Sequence, residues 1–97
     1  MKRNNNSDSV NDLFKLILIQ NGTWNKYLEQ KIINNWKSIV GVKIAASTTH
    51  ISFSNRKLFL RIDSSVLRSE MLSLRSNLVD IVNSKAGEPI IDDVVIR

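Results

Sequence analysis

The chain has 97 residues, 42% of them hydrophobic and 24% charged, with three Gly, one Pro and no Cys; this is room for one globular domain and excludes disordered and collagen-like classes. Without cysteine there is no disulfide framework, thiolate zinc site or cysteine nucleophile. Fourteen Lys and Arg against nine Asp and Glu leave a net charge of +5, which suits either a polyanion binder or ordinary solvated faces.

Residues 1–9 are basic and then polar, with the run Asn4-Asn5-Asn6, and are expected to be a disordered N-terminus. The apolar stretch Leu13 to Ile19 is interrupted by Lys15 and has no small-residue cleavage site after it, so it is not a secretion signal. It is also far short of the roughly 20 apolar residues that span a bilayer. The expectation is a soluble, cytoplasmic protein with no membrane contact.

A single domain over 10–97 then reads element by element. Ser9 is a plausible cap for helix one, about 10 to 20, whose stripe is Val10, Leu13, Phe14 and Ile17. Leu16, Leu18 and Ile19 lie on its other sides, so this helix is either covered on two faces or docks onto a partner. Thr23 is an N-cap candidate for helix two, about 24 to 40, where Trp24, Leu28, Ile32, Trp36 and Ile39 form one stripe before Gly41. From Thr48 the period becomes two: Thr49, Ile51 and Phe53 oppose His50, Ser52 and Ser54, and after the tight turn Asn55-Arg56, Leu58, Leu60 and Ile62 oppose Phe59, Arg61 and Asp63. This is a hairpin with one apolar face. Ser64 or Ser65 caps a third helix with the stripe Leu67, Met71, Leu74, Leu78 and Ile81, ending near Ala86-Gly87. A last strand runs from Ile90 to Ile96, with a bend or bulge at Asp92-Asp93. The fold class is α+β, order ααββαβ, a three-stranded sheet covered by helices on one face.

The positive charge is concentrated in the middle. Residues 26–61 hold seven Lys and Arg against Glu29 alone, while residues 62–97 are mildly acidic. Lys26 and Lys37 project from helix two about 20° apart at 100° per residue. Arg68 and Arg75 are aligned seven residues apart on helix three, and Arg56-Lys57 occupy the hairpin tip. With Lys43 and Arg61 these are the candidate nucleic-acid-binding residues, either parts of one phosphate-tracking groove or separate solvated patches.

Catalytic chemistry has little support. His50 is the one histidine, placed on a strand as an ordinary surface residue, and Gly22, Gly41 and Gly87 are too far apart for a phosphate loop. No metal, cofactor or small-molecule substrate is expected. Trp24 and Trp36 are either core anchors or partner contacts; Trp36, with Ile33 and Lys37 facing outward beside it, is the candidate partner-binding site.

The series Trp36-Lys37-Ser38-Ile39-Val40-Gly41, Ile44-Ala45, Ser47-Thr48-Thr49, Ile51, Leu58-Phe59-Leu60-Arg61-Ile62-Asp63-Ser64-Ser65 and Leu67-Arg68-Ser69-Glu70-Met71 resembles the DciA-like family over about residues 10 to 97. The resemblance implies a bacterial replication protein that binds the replicative DNA helicase and helps place it on DNA, built on a domain of KH-like topology. It also implies that Trp36, matching the family's Trp, takes part in helicase contact. Many members carry a long additional segment, whereas this sequence ends at Arg97, which leaves open whether loader activity is retained. There is no Gly-x-x-Gly loop, so the backbone clamp of KH modules does not carry over and DNA contact must use side chains. The reading is a non-enzymatic adaptor binding the replicative DNA helicase and single-stranded or forked DNA; the alternative is a structural or assembly subunit that binds a protein partner through helix one without nucleic-acid contact.

Overall fold

In the computed structural model, which describes residues 12–97, Asn55 and Arg56 both have positive φ, 52° and 61°. Two such residues make a type I′ turn, whose twist matches that of paired strands. They join β1 (Thr48–Ser54) to β2 (Lys57–Ile62). The antiparallel ladder sets Ile51 opposite Leu60, Ser52 opposite Phe59 and Phe53 opposite Leu58, so the two strands share faces as their alternation requires. A register shift between Thr48 and His50 places Thr48 opposite Ile62. β3 (Asp93–Ile96) then runs parallel to β2, with Leu58 beside Val94 and Leu60 beside Ile96, giving a mixed sheet in the order β1-β2-β3.

Leu58, Leu60, Ile62, Val94 and Ile96 are buried beneath Leu28, Ile32, Trp36, Met71, Leu78, Val82 and Ala86 of the helices. The fold is therefore α+β with helices on one face of the sheet, as expected, and is compatible with KH-like topology. The proposed disordered segment 1–9, the Ser9 cap and the first turn of helix one lie outside the described residues; α1 is described over Asp12–Gln20.

The helical layer departs from the sequence reading in three places. Helix two is divided into α2 (Trp24–Asn34) and α3 (Trp36–Val40), and α4 (Val42–Ser47) follows where no helix was expected. At the first break Asn35 donates its side-chain amide to the Lys31 carbonyl at 2.8 Å, competing with the helical backbone. The stripe survives, because Leu28, Ile32 and Trp36 all remain buried. At the second, Gly41 has φ 95°, and a Cβ there would meet nothing within 4 Å, so the requirement for glycine is conformational. Thr23 does not cap α2 through its side chain; its hydroxyl donates to the Leu18 carbonyl instead.

Helix three is likewise two helices, α5 (Ser65–Ser73) and α6 (Arg75–Ala86), joined at Leu74. Ser64 caps α5, its Oγ accepting from the Leu67 N–H at 3.3 Å. At the other end Ser73 Oγ donates to the Glu70 carbonyl at 2.7 Å, and the Leu74 N–H bonds back to Met71. The joint turns the expected stripe: Met71, Leu78 and Val82 are buried, but Leu74 is 56% exposed and Ile81 42%.

The last strand is shorter than expected, because Ile90 and Ile91 are buried ahead of the ladder rather than in it. Asn83 of α6 holds them: its Oδ1 accepts from both backbone N–H groups, at 2.9 and 3.1 Å, and its Nδ2 donates to the Ile91 carbonyl at 3.0 Å. A side chain thus satisfies backbone groups that a third ladder position would otherwise serve.

Candidate nucleic-acid interface

The eight candidate DNA-binding cations divide by what they touch. Arg56 donates from Nε and Nη2 to the two carboxylate oxygens of Asp92, each at 3.0 Å, and from Nη2 to the Pro89 carbonyl at 3.3 Å. Its own carbonyl accepts from the Asp92 N–H at 2.8 Å. Arg56 therefore clamps the hairpin tip to the entry of β3. The hydrogen bond to Arg56 holds the Asp92 carboxyl below its ordinary range, opposed by desolvation and aided by the guanidinium charge. Arg75 pairs with Asp93 at 3.2 Å, and Arg68 donates to the Ile62 carbonyl at 2.6 Å at the end of β2.

Lys26, Lys37, Lys43, Lys57 and Arg61 are exposed and, among the described residues, make no ion pair. The break at Asn35 removes the continuous helix that set Lys26 and Lys37 on one flank, and the break at Leu74 does the same for Arg68 and Arg75. The structure does bring Lys57 and Arg61 together with Phe59, on the uncovered face of the sheet. There His50, Phe59, Arg61, Val95 and Arg97 line a shallow hollow. Arg97 and His50 were not among the expected site residues; the signal in the sequence was an aromatic residue on the polar side of an alternating strand.

Trp36 takes the core alternative. It is 4% exposed, and its Nε1 donates to Thr48 Oγ1 at 3.1 Å, which in turn donates to the Ile44 carbonyl at 2.7 Å. A buried indole N–H with a partner is a stable anchor rather than a partly exposed contact. Beside it Ile33 is half-buried and Lys37 exposed.

Trp24 is half-buried, its Nε1 donating to Glu88 at 3.1 Å and its ring stacked on Tyr27. Lys15 lies 5.0 Å from the Trp24 ring and Phe14 meets Tyr27 edge-on. These contacts pin α1 to α2, yet α1 buries no residue: Leu13, Leu16, Ile17 and Ile19 are all exposed. A second apolar hollow lies between α3–α4 and α5–α6, lined by Ile39, Ile44, Met71, Leu74 and Ile81 among others. Among the described residues no group of three His, Cys, Asp or Glu could hold a metal ion, and no helix is long and apolar enough to cross a membrane.

A UPF0232 protein of Corynebacterium glutamicum (strain R) is 28% identical over 77 residues, covering 78% of this chain and 43% of that protein. The chain thus spans less than half the length of the curated relative it matches. No solved structure matches. The family model described as "Dna[CI] antecedent, DciA" matches residues 9–96, nearly the whole chain, and the chain belongs to the DciA family.

Proposed function

We propose that the protein is a non-enzymatic adaptor of DNA replication that binds the replicative DNA helicase and single-stranded or forked DNA and assists helicase loading. The observation that carries this reading is the family match over residues 9–96, since the family implies a role related to helicase loading. Lys26, Lys37, Lys43, Lys57 and Arg61, exposed and in no ion pair among the described residues, support the DNA half. Contact is electrostatic and made by side chains, because the chain has no paired glycines to clamp a phosphate backbone. Ile33 and Lys37 are the candidate helicase contacts, held in place by Trp36 from the core.

Purified helicase and DNA test both halves. With four to six phosphate contacts, affinity for DNA should fall with salt at a log-log slope of about −3 to −5. Replacing Lys26, Lys37, Lys43 and Lys57 by Glu should abolish shifts of single-stranded or forked DNA at low salt; an unchanged Kd would overturn the DNA reading.

One observation favours a second reading, an assembly subunit that binds protein through helix one. The exposed Leu16 and Ile17 of α1 suit a protein contact more than a phosphate backbone. It predicts that Leu16→Ser with Ile17→Ser removes partner binding and that no DNA is bound even at low salt.

A further inference from the structure

We infer that the open face of the sheet is a stacking platform for the bases of single-stranded DNA, with Phe59 at its centre, Lys57, Arg61 and Arg97 as its cations and His50 at its rim. The inference rests on the DNA-binding reading and gives that reading a place and a strand preference.

Phe59 is the outward residue at the middle of the central strand. Its register neighbours are Ser52 on β1 and Val95 on β3, both smaller, so the ring is not walled in by its own sheet and is half-buried rather than buried. Every other large apolar side chain of β2, Leu58, Leu60 and Ile62, is buried on the opposite face. Packing therefore accounts for those three and leaves Phe59 unexplained.

The charges next to the ring along its own strand are cationic. Lys57, Arg61 and Arg97 are exposed and make no ion pair among the described residues, and Asp93, the register neighbour of Lys57 on β3, is engaged by Arg75 at 3.2 Å. The Arg97 N–H bonds to the Leu60 carbonyl and the Arg97 carbonyl accepts from Ile62, so Arg97 lies alongside Arg61. Like charges side by side on a sheet are unfavourable unless a counter-charge is supplied, and a phosphodiester supplies one.

The shape selects the strand form. Bases already stacked inside a duplex cannot lie on a protein ring, whereas unstacked bases can, as on other aromatic-bearing sheets and grooves. Lys57 to Arg61 covers about 13 Å along the strand at about 3.3 Å per residue, the scale on which sheet readers stack about two or three bases. Every base has a π-face that a single aromatic ring can stack on, so binding should be tolerant of sequence.

The test uses the full chain, a fluorescent oligothymidylate and a duplex of equal length, with thermal midpoints for every variant. Phe59→Ala should weaken single-strand binding about tenfold or more and leave duplex binding within about twofold, while Phe59→Trp retains affinity. Ser52→Asp, which keeps the ring and the core and adds a carboxylate beside them, should also weaken the single strand selectively, and covers the case of an unstable Phe59→Ala. Unchanged single-strand affinity in both variants, with the lysine reversals still abolishing binding, would overturn the platform and leave the DNA reading standing. A wild-type chain that binds neither DNA form at low salt would overturn both. Loss of helicase binding with DNA affinity intact would assign this face to protein and overturn the platform.

Discussion

The two faces of β2 carry alternate residues of one six-residue strand and meet opposite fates. Leu58, Leu60 and Ile62 are at most 2% exposed, pressed under the helices, while Lys57 and Arg61 stand in solvent on either side of Phe59. Period-two geometry lets one strand serve stability and recognition with different residues. The two roles should therefore separate under mutation.

On the covered side the largest loss is expected from Trp36→Ala, about 3 to 5 kcal/mol in urea titration. Trp36→Phe keeps most of the ring and should cost far less, the main loss being the bond to Thr48, about 0.5 to 1.5 kcal/mol. If Trp36→Ala instead left stability unchanged and removed helicase binding alone, its placement in the core would be wrong. Leu60→Ala should cost about 2 to 5 kcal/mol without changing DNA affinity in the folded protein, whereas its neighbour Arg61→Ala should weaken DNA binding and leave the thermal midpoint nearly unchanged.

Asn83→Ala sharpens the comparison from the helical side. It leaves three backbone groups of Ile90 and Ile91 without their partner, and should cost about 1 to 3 kcal/mol by chemical denaturation. Leu74→Ala should change stability by less than about 0.5 kcal/mol, because the side chain is 56% exposed at a helix joint. A loss above about 2 kcal/mol would restore the continuous helix with Leu74 in the core.

The smallest effect concerns acid. Because the Asp92 carboxyl is held below its ordinary range by Arg56, its contribution is present above that range and is lost as pH falls through the lowered value, below about 4. Both side chains are exposed, so the effect is slight. Protection of the hairpin-tip amides, taken relative to their intrinsic exchange rate at each pH, should fall below pH about 4 in the wild type, and Asp92→Asn should show the lower protection already at neutral pH.

The strands and the covered face were legible because period two places every residue once the turn is known, and Asn55-Arg56 marks the turn. The helical layer was less so. Stripes of four-residue spacing run unbroken through Asn35 and Leu74, and neither break is signalled by Gly or Pro; each depends on a side chain bonding back to a carbonyl of its own helix. Gly41 was legible as a stop, but the short α4 after it has no stripe long enough to announce a helix. For the site, composition located the basic middle, yet partner acids at Asp92 and Asp93, distant in sequence, engage Arg56 and Arg75, while Lys57 and Arg61 form no ion pair among the described residues. Arg97 joins the candidate face only through the parallel pairing of β3 with β2, which no local pattern reveals.

The most direct test of this division of labour is a ¹H–¹⁵N correlation spectrum of the labelled chain titrated with single-stranded DNA. The largest amide shifts are expected at Ser52, Lys57, Phe59, Arg61, Val95 and Arg97, on the uncovered face, with α1 and the apolar hollow at Leu74 little changed. Shifts confined to the helical side, with Phe59 and Arg61 unmoved at saturation, would contradict that division.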